Sequence, residues 1–495
     1  MAIRRNSFVN LAGNLVGLFL FAALTPLYFH VIGAERYGIL AIIWTFLSFF
    51  SAFDFGMGSA LTYRIASEAR SDTSHQSDYF WTAMSISLPV GVLTGIILFG
   101  LVGGGLGNLF NLSPKVGIEL FRSAPALLAI GVCTVLLSTA GGLLRGREYF
   151  VTNAVLSALS LALSILLPVL AALLISPSLN VLILATLAGR LIVVLSAIVF
   201  AHAVILAGAR PSVSMRSARS LTGYGAWSSL GGIIELTISS ADRFIMGAVA
   251  GPAVVGYYSV PSSVLARVMI FPMSLGSAAL PQMASRSAAD EAILARKVVK
   301  MASMLTPCFV AGLFLAEPFL RLWMGQKFAE IATLPMQLLL PAFWMEGLSA
   351  LLFYRLLAQG RPKTSAAVGA IILLPYCALI YYLAGIWGVA GGAAGYLGRN
   401  TMLLGGRTAV TRSWRMMAEA IGIDLALLVA GLGACLIALP GRPPILVGVL
   451  ITTASIVLTL KRRPPEFDSL VRDSLRRLPL RPFRSDLNTG NGSDG

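Results

Sequence analysis

Residues 238–251 read ISSADRFIMGAVAG, an apolar segment that carries Asp242 and Arg243 side by side. A charge near the centre of a bilayer costs about 2.5–3.5 kcal/mol on an insertion scale, so one that is kept there marks a water-filled cavity, a partner or a pathway. Glu235 precedes this pair in the same apolar run, Arg267 follows in the next, and Arg190 and Glu346 occupy two others. Guanidinium groups in such places can fork onto phosphate or carboxylate oxygens. Carboxylates there can take up and release H⁺ or Na⁺. On a helix Glu235 and Asp242, seven residues apart, share a stripe, whereas Arg243 is turned about 100° from Asp242. Neighbours in sequence do not face one another, so Asp242 and Arg243 are expected to serve different partners. The bland reading of the set is interhelical ion pairing, Glu235 with Arg267 or Asp242 with a distant arginine. Asp54, Arg64 and Arg145 fall toward the inner ends of their runs, where snorkelling or an inner gate is the ordinary role.

The elements that must position these residues are membrane helices. Of 495 residues 57% are hydrophobic and 12% charged, the mean hydropathy is +0.83, and apolar runs of about 20 residues recur almost end to end. The runs predict an all-α integral membrane protein with about fourteen transmembrane helices, near 10–31, 38–62, 80–102, 123–144, 151–175, 180–206, 222–247, 254–280, 300–318, 333–356, 365–385, 388–404, 419–438 and 444–460. The closely joined pair at 365–404 could instead be one re-entrant unit. The arginines of the N-terminus precede a run too long for a signal peptide, so the first span is read as retained.

Lysine and arginine test the count, because they gather on the cytoplasmic side. Twenty-seven of the 37 fall in the N-terminus, the even-numbered connections and the tail; six fall in the other connections, and four, Arg190, Arg243, Arg267 and Arg355, inside spans. Both termini are therefore expected in the cytoplasm. Most of the net charge of +16 is this topology signal, without the basic and aromatic interleaving of a nucleic-acid reader. The tail, 461–495, has apolar residues at helical spacing among basic ones, suiting a short helix on anionic membrane lipids before a polar, disordered end. Four scattered cysteines and three scattered histidines suggest neither a disulfide framework nor a metal site. There is no GxxxxGK[ST] loop, so no nucleotide cofactor is expected and any pumping must use another source, H⁺ or Na⁺.

Offset by 218 positions, residues 13–72 align without a gap on 231–290, with 14 of 60 identities, including Gly33/Gly251, Gly38/Gly256, Phe53/Phe271, Gly58/Gly276 and Asp72/Asp290. Such a repeat six spans later makes two parallel lobes around a central path. The expected organisation is a six-helix lobe at 1–208, a second at 209–404, two additional helices at 405–460 and the tail. Glu235, Asp242, Arg243 and Arg267 map onto Gly17, Leu24, Thr25 and Phe49. The first lobe lacks all four charges, which suits an asymmetric task.

NLVGLFLFAALTPLYFHVIGAERYGILAI with FDFGMGSALTYRIA, and ADRFIMGAVAGPAVVGYYSV with LPQMASRSA, resemble the two characteristic hairpins of the bacterial polysaccharide-biosynthesis flippases. These belong to the multidrug/oligosaccharidyl-lipid/polysaccharide exporter superfamily. The resemblance covers most of residues 1–400 and implies alternating access without bond-making chemistry. It implies a cargo of polyprenyl-pyrophosphate-linked oligosaccharide repeat units, carried from the cytoplasmic to the periplasmic leaflet of the inner membrane for exopolysaccharide or surface polysaccharide assembly. Polymerase and export proteins are possible partners. On this reading Arg267, Arg243 and Arg190 bind substrate and Glu235, Asp242 and Glu346 couple the ion. A cation-coupled multidrug exporter of the same superfamily would be expected to carry an acidic residue in the first span or an acid-lined path for cationic drugs, whereas the first span here has none and arginines enter the membrane region. A peptidoglycan-precursor flippase would show several arginines in the first lobe's cavity. A polymerase or ligase would need a large outer loop with catalytic residues.

Overall fold

The computed structural model of the chain describes residues 20–52, 56–67, 73–104, 109–110, 112–206, 209–437 and 445–462, without the side chains of 49–52, 67, 101, 103–104, 222–236, 239, 288 and 445. Asp54, the start of the first span, most of the tail and the Glu235 side chain lie outside this set.

The described residues form helices and no strands. Segments this apolar can satisfy their backbone N–H and C=O groups in lipid only internally, as helices do. In chain order they are α1 (20–32), α2 (Ala34–Ala52), α3 (Met57–Ser67), α4 (Thr73–Gly104), α5 (Pro114–Arg122), α6 (Ala124–Gly146), α7 (Phe150–Leu174), α8 (Leu179–Phe200), α9 (Met215–Ala250), α10 (Pro252–Val268), α11 (Ile270–Ala284), α12 (Ala288–Ser303), α13 (Thr306–Met324), α14 (Gln326–Ala358), α15 (Pro362–Val410), α16 (Trp414–Ile437) and α17 (Ile445–Lys461). A π-helical turn, Ala201–Ile205, extends α8.

Among the described residues ten helical segments are long and apolar enough to cross a membrane. Fourteen runs map onto fewer segments because Leu20–Ser48 and Pro362–Val410 each take in two of them, the last is the shorter Leu446–Lys461, and the seventh is α9, whose residues 222–236 have no described side chains. The pair at 365–404 is two helices joined at Gly388. Gly388 breaks α15 at φ 52°, ψ −120°, and beyond it the chain packs back on itself so closely that a Cβ on Gly391 would fall 1.8 Å from the Leu383 carbonyl oxygen.

The repeat is visible in backbone conformation. Gly33 and Gly251, equivalent by the 218-residue offset, have φ of 82° and 86°, a left-handed region that glycine enters without strain. Each makes the turn between the first two helices of its half. At this end α2 lies along α10, and Phe29 meets Tyr37, Tyr257 and Phe328 with ring centroids 5.2, 5.5 and 5.0 Å away. Edge and tilted contacts of this kind add about 0.5–1.5 kcal/mol each beyond area burial. The continuing helices, α3 and α11, share no such seam. The two halves therefore cross closely at the Gly33/Gly251 end; at the other end α3 and α11 stay apart, and the start of α9, with Leu221, packs against α3 and α4.

Candidate functional site: a charged cavity between the halves

A cavity of about 730 Å³ lies below the aromatic seal, walled by α1, α2, α7 and α8 on one side and by α9, α10, α14 and α15 on the other. Five of the residues singled out by sequence line it: Arg190, Asp242, Arg243, Arg267 and Glu346. The Glu235 side chain and Asp54 are not described. Arg64, near the end of α3, lines neither this cavity nor its neighbour. Arg145 lines a second cavity of about 430 Å³ that shares Ser48, Ser157 and Arg190 with the first.

Asp242 and Arg243 serve different partners, as their helical phase requires. Tyr258 Oη donates to Asp242 Oδ2 at 2.6 Å, and Asp242 is buried, with Oδ1 lacking a hydrogen-bond partner. Arg243 Nη1 donates to Thr45 Oγ1 of the other half at 3.3 Å, and its Nε is buried without a partner. Arg190 does the same from α8: Nη1 donates to Thr134 Oγ1 at 2.9 Å and Nε is unmet. Arg267 is half-buried, with its guanidinium carbon 5.2 Å from the centre of the Phe21 ring. Among the described residues none of these three arginines has a carboxylate in ion-pair reach. By contrast Arg355, also counted inside a span, is bidentate on Glu291 at 2.7 and 3.0 Å and donates to Ser413 at 2.6 Å. Arg355 is a satisfied packing residue that does not line the cavity.

Arg399 is a correction to the sequence reading, which counted it with a cytoplasmic connection. It is buried beside the cavity, 3.7 Å from Glu346 Oε2, with its guanidinium 4.1 Å from the centre of the Tyr396 ring and Nη1 donating to the Ile238 carbonyl at 3.1 Å. Tyr396 Oη donates to Glu346 Oε2 at 2.5 Å. Each cavity carboxylate thus has a tyrosine hydroxyl on one oxygen, and Tyr258 and Tyr396 stand edge to face at 6.4 Å.

The rest of the lining is hydroxyl and aromatic. α7 turns Ser157, Ser160 and Ser164 inward at helical spacing, while Tyr28, Trp44 and Phe343 supply ring faces. Tyr28 Oη and Ser259 Oγ are buried and unpartnered. Buried polar atoms are normally paired, so several unmet ones around one cavity mark room for a polar ligand or water. Guanidinium, hydroxyl and aromatic groups can together hold a diphosphate and sugar rings. Among the described residues no three His, Cys, Asp or Glu gather to hold a metal ion.

The family described as "Polysaccharide biosynthesis protein" matches residues 31–333. A Shigella flexneri protein whose name describes it as an O-antigen transporter is 22% identical over 399 residues, covering 79% of this chain and 94% of that protein. Among solved structures, the lipid II flippase MurJ in an inward closed conformation superposes with a TM-score of 0.68 at 14% identity, over 95% of this chain and 99% of the other. An inward-facing multidrug resistance transporter of the MATE family and MOP superfamily gives 0.64 at 15% identity, over 83% and 98%. These likenesses establish a multi-span membrane transporter fold.

Proposed function

The chain belongs to the polysaccharide biosynthesis protein family, and on that premise we propose that it is an inner-membrane flippase. It would move polyprenyl-pyrophosphate-linked oligosaccharide repeat units from the cytoplasmic to the periplasmic leaflet for exopolysaccharide or surface polysaccharide assembly. The observation that carries this reading is the convergence of Arg190, Arg243 and Arg267 on one hydroxyl- and aromatic-lined cavity between the two halves. With no carboxylate partner among the described residues, their charge is available to an anionic cargo, where charge-assisted and bidentate bonds are strongest.

The distribution of lysine and arginine supports a cytoplasmic position for both termini; on that reading the Gly33/Gly251 end faces the periplasm and the cavity opens inward. Cargo enters with its diphosphate at Arg243 and Arg267 and its sugars against the serines of α7 and the rings of Trp44 and Tyr28. Closure of the inner end and parting of the seal then deliver it outward. Asp242 and Glu346, with tyrosine donors already in place, exchange H⁺ or Na⁺ to drive the return. No bond in the cargo is made or broken. Polymerase and export proteins would take the repeat unit on the periplasmic side.

Deletion of the gene in the source organism should leave the lipid-linked repeat unit in the inner leaflet and abolish polymer. Arg267→Ala should do the same with insertion into the membrane intact. Normal polymer combined with increased drug sensitivity in the deletion strain would sink the flippase reading in favour of a multidrug exporter.

A further inference from the structure

Arg190 stands where two cavities meet. The larger one holds the carboxylates of Asp242 and Glu346. The smaller, about 430 Å³, is built only from helices of the N-terminal half, and none of its described lining residues is acidic. Its walls offer Thr134, Ser138, Asn153 and Ser157, with Arg145 in the wall as well. The Arg145 guanidinium is seated against glycines: a Cβ on Gly141 would lie 3.1 Å from its Nη1 and 3.2 Å from Asn153 Oδ1, and one on Gly58 would lie 3.3 Å from its Nη2. On the Arg190 side, Nη1 is held by Thr134 while Nε is buried and unmet. A buried guanidinium without its full complement of bonds is costly, and an anion recovers that cost when it arrives.

The chamber therefore combines a partly unsatisfied arginine with hydroxyl and amide groups, away from the Asp242 and Glu346 carboxylates. A neutral sugar would use the hydroxyls and leave the arginine unmet, whereas a sugar bearing a carboxylate uses both. We propose that this chamber is a subsite for a uronic acid residue of the repeat unit, its carboxylate on Arg190 and its ring hydroxyls on the Thr134, Ser138 and Asn153 side. The proposal rests on the flippase reading and adds that the cargo is an acidic glycan.

The test uses the full chain in proteoliposomes with two matched polyprenyl-diphosphate-linked disaccharides, one ending in glucuronic acid and one in glucose. The parent protein should move the uronate form at least tenfold more efficiently. Arg190→Gln should narrow that ratio to within twofold. Leu156→Glu, which sets a carboxylate on the chamber wall, should reverse the preference while the glucose form still crosses. Arg267→Gln should slow both forms alike, because it acts on the shared diphosphate. No preference in the parent, or an unchanged ratio in Arg190→Gln and Leu156→Glu, would overturn the subsite. If neither disaccharide crosses with the parent protein, the flippase reading itself fails.

Discussion

Gly38 and Gly256 occupy equivalent positions of the internal repeat, and each receives the backbone of the opposite half. A Cβ on Gly38 would fall 1.7 Å from the carbonyl oxygen of Pro252, and one on Gly256 would fall 2.6 Å from that of Ala34. Ala34 and Pro252 are themselves equivalent by the same offset, so the contact is reciprocal, as two-fold-related surfaces require. Glycine is needed at both places because α2 and α10 cross backbone to backbone, closing one end of the cavity.

Gly38→Leu or Gly256→Leu should therefore hold that end open. Overpacking of this kind costs about 1–3 kcal/mol, about 5- to 150-fold in the balance between two conformations. With the native cysteines replaced, Ser262→Cys in the cavity should become more reactive to an impermeant maleimide added from the Gly33/Gly251 side. Unchanged labelling from that side would separate the crossing from the gate.

A second tie at the same end follows from a proline. Pro26 has no N–H, so in α1 the carbonyl of Ala22, four residues earlier, loses its helical donor. Trp323 of the other half supplies one, Nε1 to Ala22 oxygen at 2.6 Å. Trp323→Phe keeps the ring and removes the donor, at a cost of about 1–3 kcal/mol for the carbonyl left unmet. The variant should show the same shift in Ser262→Cys labelling as the glycine variants, but smaller. Labelling identical to the parent would mean that the bond is equally available in both conformations.

How far the site was legible in the sequence depends on what each residue's signal was. Arg190, Asp242, Arg243, Arg267 and Glu346 stood out because charge in an apolar run is rare, and all five line one cavity. The different directions of Asp242 and Arg243 followed from 100° per residue. Tyr258 was missed because tyrosine is ordinary in membrane helices. Yet it lies seven residues beyond Gly251, where Asp242 lies nine before it, so an antiparallel hairpin brings the two to similar depths. Arg399 was hidden by being counted with the loop that follows it, although it lay within the predicted span 388–404. Its partner Glu346 and the ring of Tyr376, 5.6 Å away, are brought to it by tertiary packing and by the break at Gly388. Helix existence was legible from hydropathy. Interruptions such as Gly388, and the merging of two spans across the Gly33 turn, were not, because they depend on backbone conformation at single residues.

Asp242 supplies a test of coupling. In proteoliposomes with an imposed H⁺ or Na⁺ gradient, Asp242→Asn should reduce gradient-driven flipping at least tenfold while exchange without a gradient continues. Glu346→Gln should have the smaller effect, because Arg399 compensates that carboxylate directly. If flipping by Asp242→Asn still follows the gradient as the parent does, the Asp242–Tyr258 pair is a packing contact and the coupling site lies elsewhere.

A clasp outside the membrane spans gives a pH dependence of stability. Glu119, on the short amphipathic helix α5, accepts from Arg36 Nη2 at 2.7 Å and Arg36 Nε at 2.8 Å, and from the backbone N–H of Leu179 at the start of α8 at 2.9 Å. The carboxylate thus ties α2 to α5 and caps α8, where a negative charge suits the helix dipole. The Arg36 hydrogen bonds lower the Glu119 pKa below the usual carboxylate value, with the Leu179 N–H and Lys115 acting in the same direction against partial burial. A carboxylate whose pKa is depressed by folding adds stability that is full above its unfolded pKa and is lost as pH falls through the folded one. Glu119→Gln keeps the shape and removes the charge, so it should destabilise the protein by about 1–3 kcal/mol at neutral pH. The difference in melting temperature from the parent, measured in detergent, should shrink as the medium is acidified through the carboxylate range. A difference that stayed constant from neutral to acidic pH would show that the ionised Arg36–Glu119 pair is not what holds these three helices together.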